Sequence, residues 1–357
     1  MLNVLITFDY ELFFGENFFP ADEIIFKPTN DLMAVLDKHE VKATFFVDVL
    51  SVYMHQKQGL HDYCEKFGKQ LKDMITRGHD VQLHIHSNWL KSEYVNGQWV
   101  FDKESYRIHM FGFDKEKDFS VDGIIKWGKA YLEELLRPID PSYQCIAYRA
   151  GGYCIQPHQE LFKALHENGI FIDSSVSLEQ KSSGVNSYDF TGFHKKMGWW
   201  VDPDGALDEE CTDAAQAIYE IPIGAAGNSL LRRLFRPETE KNFSSKNLRG
   251  TFIGMEGGKQ PAPKTKKGRI GHILAYYRRK RMLTCDGVRY QVVARAVKKL
   301  TGKRPGGTKV ASVAVIGHPK LIDELWLTNF DHMLTELKKN KKCDLVTMQT
   351  IGGLLSK

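Results

Sequence analysis

Short apolar runs that end in chemically active polar residues recur along this chain of 357 residues. The first begins at residue 2 and ends in Asp9 and Glu11. Because successive side chains of a strand point to opposite faces, these two acids share one face. Buried charges without partners are costly, so a metal ion or an arginine is needed beside them. Polar residues at the ends of several buried strands predict a parallel α/β fold with a site where those ends meet.

Segments with helical periodicity separate the apolar runs. The clearest are 60–77, 121–136 and 323–337. Strand, helix and strand in succession is the rhythm of a parallel α/β protein. This chain length suits either two domains or one barrel with inserted loops. We expect a single domain over 1–357, with an insertion at 228–309.

The composition is that of a soluble globular chain. Apolar residues make up 42% of the sequence, and no apolar run approaches the ~20 residues of a membrane span. The first strand starts almost at Met1, which leaves no room for a secretory leader. The six cysteines are scattered without any Cys-x-x-Cys pair, a pattern typical of reduced thiols. We therefore expect a cytoplasmic protein.

Positive charge is concentrated in one block of the sequence. The formal net charge is +5, but between Arg232 and Lys309 there are 22 Lys or Arg residues against 4 acids. Such a block is most often a solvated face or a lid. A surface for anionic lipid or a polyanionic substrate is the next interpretation, which allows peripheral contact of 228–309 with the inner membrane. No nucleic-acid motif accompanies the block, so we expect no nucleic-acid partner.

The stretch 80–86 carries the second group of chemically active residues. Its apolar residues alternate with polar ones, so His84 and His86 share one face of a strand. A single histidine there would more often be a hydrogen-bonded core residue. Two histidines, in a chain that also has an Asp-x-Glu pair, favour a metal site. Asn88 and Trp89 follow at the mouth of that site.

Three later segments add polar groups at strand ends. Arg149 precedes two glycines, which fits a charge held near the acids as well as it fits a surface arginine. Asp173 ends the following strand, and His318 ends another apolar run. A metal site, a second carboxylate and a proton-donating histidine are the parts of metal-assisted hydrolysis of an amide or ester.

Trp199 and Trp200 form an adjacent pair of large aromatic residues. Aromatic faces match the apolar faces of sugar rings, so the pair suits a stacking platform for a carbohydrate. Adjacent tryptophans are as often a structural plug, and the sequence leaves both interpretations open.

Five short motifs occur in a fixed order: Thr7–Glu11, Ala43–Val47, Gly78–His84, Tyr148–Tyr153 and Ile316–Pro319. This order resembles the polysaccharide deacetylase superfamily, also called the NodB homology fold, which includes carbohydrate esterase family 4. It looks closest to the cytoplasmic branch associated with O-antigen and capsule gene clusters. The resemblance implies a distorted (β/α)₇ barrel and a reaction that removes an N-acetyl group from a sugar.

The resemblance assigns roles to residues by motif position. It makes Asp9 the general base, Arg149 the partner of that base, and His318 the general acid. Asp173 becomes an acid that supports the site, and a backbone N–H near Tyr153 stabilises the oxyanion. The residues expected to contact the substrate are Tyr153, Trp89, Trp199 and Trp200.

The metal ligands implied by the resemblance include one departure from the family. Glu11 stands in place of the usual aspartate, and His84 matches the first metal histidine. The second metal histidine falls four residues later in the family, where this chain has Asn88, a weak neutral ligand. Strand alternation favours His86 as third ligand and motif alignment favours Asn88. The expected ion is Zn²⁺, with Co²⁺, Ni²⁺, Mn²⁺ or Fe²⁺ as alternatives.

We therefore predict a metal-dependent hydrolase that deacetylates a sugar in surface-polysaccharide biosynthesis. The N-acetylated substrate would be nucleotide-linked or lipid-linked, since phosphate groups suit the basic block. One alternative is a catalytically weakened or inactive protein of the same fold that binds a glycan precursor. The other is a membrane or assembly scaffold that uses the basic insertion 228–309.

Overall fold

A computed structural model of the chain describes residues 1–117, 119–193, 197–211, 217–227, 249–252, 280–302 and 310–356. Within these ranges, no helix combines the length and the hydropathy of a membrane span.

The strands, in chain order, are β1 Leu2–Tyr10, β2 Thr44–Asp48, β3 Asp80–Ile85, β4 Glu93–Val95, β5 Gln98–Val100, β6 Ala147–Ala150, β7 Ile172–Asp173, β8 Lys181–Ser182, β9 Tyr188–Asp189, β10 Trp199–Val201, β11 Ile218–Glu220, β12 Ala225–Gly227, β13 Lys280–Met282, β14 Ser312–Gly317 and β15 Cys343–Val346. The α-helices are α1 Lys27–Lys38, α2 Val49–Lys57, α3 His61–Thr76, α4 Val121–Leu136, α5 Gln159–Glu167, α6 Tyr290–Leu300, α7 Glu324–Lys338 and α8 Met348–Leu355.

The main sheet curls into a barrel of parallel strands. Its order is β11-β7-β6-β3-β2-β1-β14, with β10 added antiparallel to β11 and β15 paired to β1. The ring closes where Ile223, just after β11, forms a single parallel bridge with Ala314 of β14. Two hydrogen bonds support the bridge, from Gly224 N to Ala314 O at 3.0 Å and from Ala314 N to Pro222 O at 2.8 Å. The predicted distorted (β/α)₇ barrel is confirmed.

Strand β1 shows how the sequence directs side chains inward and outward. Leu5 lies in the apolar cluster inside the barrel, whereas Ile6 and Phe8 lie in the cluster between the strands and the helices. Phe8 packs against Phe330 of α7, with ring centroids 5.8 Å apart. Alternation then turns Asp9 inward, as the sequence predicts.

The helices agree closely with the periodicity of the sequence. Helix α4 has the predicted bounds, and Ser120 caps it by accepting a hydrogen bond from Gly123 N. Helix α2 was missed. It follows β2 without a loop, and most of its residues are buried, including Val52 and Met54. A helix that is buried on several sides lacks the apolar stripe by which surface helices are detected.

The predicted insertion 228–309 lies partly outside the described residues. Its described part 280–302 packs against the barrel. Cys285 N donates to Ile316 O beside β14 at 2.7 Å, and α6 packs against α7. These contacts attach the described part 280–302 to β14 and α7, and the bounds of the insertion stay a prediction.

The end of the chain fills the base of the barrel. Met348 and Ile351 of α8 are fully buried in the same interior cluster as Leu5 and Phe46. Met348 N donates to Thr44 Oγ1 at 3.1 Å, so the helix is tied to the start of β2. The interior is thereby covered at the amino-terminal ends of the strands.

Candidate active site

Three side chains converge at the carboxyl ends of β1 and β3. Glu11 Oε2 lies 3.0 Å from His84 Nε2 and 2.5 Å from His86 Nε2. All three residues are buried, and their potential ligand atoms lie within 4.8 Å of one another. His84 Nδ1 donates to Arg149 O at 2.7 Å, which directs Nε2 towards Glu11 and leaves it as the ring nitrogen available to a metal ion.

This donor set fits a divalent metal ion. One carboxylate and two imidazoles are a common zinc set, with other positions left for water and substrate. Zinc–nitrogen bonds of 2.0–2.1 Å at tetrahedral angles place ligand atoms about 3.3 Å apart. The observed separations of 3.0 and 2.5 Å are shorter, as expected when hydrogen bonds join the same atoms. Movements of less than an ångström would open the set for an ion.

Lys320 is a fourth buried group at this cluster. Its Nζ donates to Glu11 Oε1 at 2.6 Å and to Leu12 O at 3.0 Å. The same ammonium lies 5.3 Å from the ring centre of Phe13 and 5.5 Å from that of Phe14. Aromatic faces attract a cation, so these rings help to hold the lysine side chain beside Glu11.

The charges around Glu11 shift its pKa and those of its partners. Burial opposes the charge on Glu11, but Lys320 and the two histidines outweigh it and hold the pKa of Glu11 well below its usual value. Burial also opposes charge on His84, but Asp9 and Glu11 raise the pKa of His84 to about 9. For His86 the effect of burial outweighs the attraction of Glu11, and the pKa of His86 falls to about 4. In the metal-free site, His84 thus carries the proton.

Arg149 holds Asp9. The guanidinium Nη1 is 2.6 Å from Asp9 Oδ1 and 3.0 Å from Thr7 Oγ1. Ser174 fixes the other side of the same guanidinium through its carbonyl and its hydroxyl, at 2.8 and 2.9 Å. Arg149 also lies over the ring of Phe46, 4.1 Å from its centre. The predicted arginine is therefore a buried partner of the acid rather than a surface residue.

His318 faces Asp9 and Glu11 from β14. Its Nε2 lies 3.8 Å from Asp9 Oδ2 and 3.9 Å from Glu11 Oε1. On the other side of the ring, Nδ1 donates to Asp286 Oδ2 at 2.7 Å. Trp326 Nε1 donates to the second oxygen of Asp286 at 3.0 Å. Burial opposes the charge on His318, but Asp286 outweighs it and raises the pKa of His318.

Asp173 lies behind the site rather than in it. Its carboxylate accepts hydrogen bonds from Ser175 N and Ser175 Oγ, both at 2.8 Å, and Ser175 Oγ accepts from Ala150 N at 2.9 Å. Asp173 also faces Glu220 on β11, and burial together with Asp173 raises the pKa of Glu220 well above its usual value. Glu220 therefore supplies a proton between the two acids. Through Ser175 and Ala150, this pair supports β6, the strand that carries Arg149.

Tyr153 closes the turn after β6. The turn passes through Gly152 at φ 58° and Tyr153 at φ 62°, so both residues lie in the left-handed region. A Cβ at Gly152 would lie 2.4 Å from the Tyr106 ring, which only glycine avoids. The partly buried Tyr153 packs between the two apolar clusters, and burial raises its pKa.

Asn88 lies two residues beyond His86, in a different local conformation. Its side chain is fully buried, and neither Nδ2 nor Oδ1 has a hydrogen-bond partner among the described residues. Of the two candidates for third ligand, the structure brings His86 to Glu11. The reason is strand alternation, which extends past the end of β3 to His86, whereas Asn88 lies in the 3₁₀ turn Ser87–Lys91.

The predicted tryptophans are not an open platform. Trp89 is fully buried and donates its Nε1 to Asp48 Oδ2 at 2.6 Å. Trp199 is also fully buried and donates to Leu207 O at 3.0 Å, and the half-buried Trp200 packs on Tyr219. Neighbouring residues cover the rings of Trp89 and Trp199, so Trp199 matches the structural-plug interpretation. The expected substrate contacts of these tryptophans stay predictions.

Three ionisable residues near the site were missed from the sequence. Lys320 and Asp286 are single charged residues in segments dominated by other signals, and neither forms part of a recognised motif. Asp48, at the end of β2, follows the same strand-end pattern as Asp9 and was detectable. It accepts from His86 N at 3.2 Å, and burial raises its pKa to about 7.

A cavity of about 580 Å³ opens beside the Glu11 loop. Leu12 links the two places, because it lines the cavity and accepts the hydrogen bond from Lys320. Aromatic residues form part of the cavity wall, namely Phe19, Tyr63, Tyr94 and Trp99.

Comparison with solved structures identifies the fold. The chain matches a protein described as a glycoside hydrolase/deacetylase from Parabacteroides distasonis with a TM-score of 0.51 at 7% identity, over 99% of this chain and 71% of that one. The chain has the deacetylase-type barrel fold. Proteins described as polysaccharide deacetylases also match this deacetylase-type barrel, one from Mycobacterium smegmatis (TM-score 0.47, 13% identity, 99% and 90% coverage) and one from Pseudomonas aeruginosa PAO1 (TM-score 0.46, 11% identity, 99% and 90% coverage). No protein-family model and no curated protein matches the chain.

Proposed function

We propose that this protein is a metal-dependent carbohydrate deacetylase, which hydrolyses the N-acetyl group of a sugar. One observation carries the proposal. His318 Nε2 lies within 4 Å of both Asp9 and Glu11, so an acid faces a base across the mouth of a potential metal site. A glycan-binding protein has no need of a paired base and acid in this arrangement.

Glu11, His84 and His86 would hold the ion, which supplies a Lewis acid for the acetamide carbonyl and a water of lowered pKa. Asp9 then takes the proton of the attacking water, and Arg149 keeps that carboxylate oriented through the 2.6 Å contact. His318 gives its proton to the departing amine, and Asp286 stabilises the charged imidazole through Nδ1. The products are acetate and an amino sugar.

The substrate that we propose is an N-acetylated sugar joined to a nucleotide or lipid phosphate, used in O-antigen or capsule assembly in the cytoplasm or at the inner membrane. The basic composition of 228–309 supports this choice, since 22 Lys or Arg residues lie between Arg232 and Lys309. Positive charge of this density attracts phosphate groups.

Acetate release from N-acetylated sugar nucleotides, with metal content measured on the same protein, tests the proposal. We expect close to one bound ion per chain and a rate that Asp9→Asn reduces at least 100-fold. The matched control is Asp344→Asn, which changes an exposed aspartate on β15 and leaves the rate unchanged. A metal-free protein that binds such sugars without releasing acetate contradicts the proposal.

Lys320 favours a second candidate, a glycan-binding protein without catalysis. Its ammonium neutralises Glu11 as a bound cation would, so the site is stable without metal. In that case Asp9→Asn changes neither glycan affinity nor any measurable rate. Binding to vesicles of anionic lipid, lost at high salt, would instead indicate the interaction scaffold.

A further inference from the structure

Lys320 divides the two oxygens of Glu11. Oε1 accepts from Lys320 Nζ at 2.6 Å, whereas Oε2 faces the Nε2 atoms of His84 and His86. The lysine is 2% exposed, and its second hydrogen bond goes to the Leu12 carbonyl. A buried ammonium with two short hydrogen bonds is fixed in place rather than free to swing into solvent.

This division has two consequences for a cation at the cluster. The carboxylate of Glu11 can offer only Oε2, because a two-oxygen contact would require Oε1 to leave Lys320. The ammonium also lies on the same carboxylate as the cation, and like charges in a buried site repel strongly. Both effects oppose tight binding of a divalent ion.

We propose that Lys320 sets the affinity of this site for divalent cations, by holding Glu11 to one ligand oxygen and placing a fixed positive charge beside the ion. This inference rests on the proposed function, because it concerns the metal of the same site. Lys320 is a positioning residue, since it acts through Glu11. The result is an ion that exchanges with solvent. The positive charge of Lys320 beside it increases its polarisation of a substrate carbonyl.

Surrounding residues make a neutral replacement feasible. The ammonium is bordered by the rings of Phe13, Phe14 and Phe252, at 5.3, 5.5 and 5.1 Å. A methionine of similar length can pack against these rings without a charge. Lys320→Met therefore removes the positive charge while filling much of the same space.

The test is a titration of metal-free protein with Zn²⁺ against a chromophoric chelator, at one pH and one salt concentration. We expect Lys320→Met to bind Zn²⁺ at least tenfold more tightly than wild type. Lys320→Gln is a second neutral variant for which the same direction is expected, and Lys320→Arg keeps the charge and the weak affinity. The matched control is Lys129→Met, since Lys129 also bonds one carboxylate and one carbonyl, Glu133 and Cys145.

Folding of each variant is checked by circular dichroism before titration. The inference is overturned if folded Lys320→Met or Lys320→Gln binds Zn²⁺ with unchanged or weaker affinity. If neither variant folds, the affinity of the wild-type protein for Zn²⁺ decides. A picomolar dissociation constant overturns the inference, and loss of Zn²⁺ on dialysis against chelator supports it. Wild-type acetate release stands apart from these results, so failure of this inference leaves the proposed function intact.

Discussion

Asp286 Oδ2 lies 2.7 Å from His318 Nδ1, and this contact points His318 Nε2 towards Asp9. The aspartate fixes the ring orientation and stabilises the charged imidazole. A histidine held in this way is protonated over a wider pH range than a free one, because Asp286 raises its pKa. The pair thus prepares a proton for a leaving group.

Asp286→Asn is expected to reduce kcat/KM for deacetylation by about 100-fold, since proton donation by a positioned group contributes about 10²–10⁴-fold. Activity that needs protonated His318 falls as pH rises through the pKa of His318. Loss of Asp286 lowers that pKa, so the alkaline limb of the pH–rate profile should move to lower pH. The control is Asp331→Asn, which changes another Asp–His contact, between Asp331 Oδ1 and His39 Nε2 at 2.9 Å. An unmoved alkaline limb would show that Asp286 has no electrostatic role.

Arg149→Met should lower the free energy of unfolding by about 3–5 kcal/mol, because it leaves the buried Asp9 carboxylate without its partner. Urea denaturation measures the change. Adding Asp9→Asn to Arg149→Met should recover part of the loss, since both charges are then gone. As a control, Arg77→Met removes half-exposed ion pairs to Asp37 and Asp73 and should cost no more than about 1 kcal/mol. Equal losses for Arg149→Met and Arg77→Met would rule out a special role for the buried pair.

The metal-free protein should become less stable as pH rises above neutrality. Burial opposes charge on His84, but Asp9 and Glu11 raise its pKa to about 9, above the usual 6.5. A group whose pKa is higher in the folded state stabilises fully below its unfolded pKa and loses that contribution as pH rises through the folded value. Between pH 6.5 and 9 this group alone reduces the unfolding free energy by about 1.4 kcal/mol per pH unit. Urea unfolding at several pH values, on chelator-treated wild type and His84→Asn, measures this change. The unfolding free energy of the variant should lack this decrease with pH.

His86→Ala should abolish stoichiometric metal binding, whereas Asn88→Ala should leave it intact. The reason is that His86 Nε2 lies 2.5 Å from Glu11 Oε2, whereas Asn88 lies in the 3₁₀ turn after the strand. Metal content after dialysis in limiting Zn²⁺ gives the comparison. His109→Ala controls for the loss of a partly exposed histidine, whose Nε2 lies 2.7 Å from the Pro157 carbonyl. Metal retained by His86→Ala but lost from Asn88→Ala would restore the alignment-based assignment.

Much of this site could be predicted because strands impose simple alternation. Asp9, His84 and Arg149 each lie near the end of a predicted strand, so their common edge followed from the parallel fold. The same alternation favoured His86 over Asn88, and the structure places His86 at Glu11. Motif spacing favours Asn88 instead, and that assignment stays a prediction, because Asn88 lies in the 3₁₀ helix after His86, where strand alternation no longer applies.

Contacts between distant segments were not predictable. Lys320 meets Glu11 across 309 residues of chain, and Asp286 meets His318 across 32. Neither lysine nor aspartate signals its partner through periodicity or composition. Burial of Trp89 and Trp199 was not predictable for a related reason. A tryptophan has the same sequence signal in a core and at a sugar-binding surface.

The carboxyl-terminal helix gives the barrel a closed floor. Met348 and Ile351 fill the interior beneath Leu5, and Thr44 anchors the helix to β2. Among the described residues, a substrate therefore reaches Glu11 from the opposite rim of the barrel. In a deacetylase built this way, acetate and the amino sugar depart by the route that the next substrate uses, so slow release of either product would limit turnover directly.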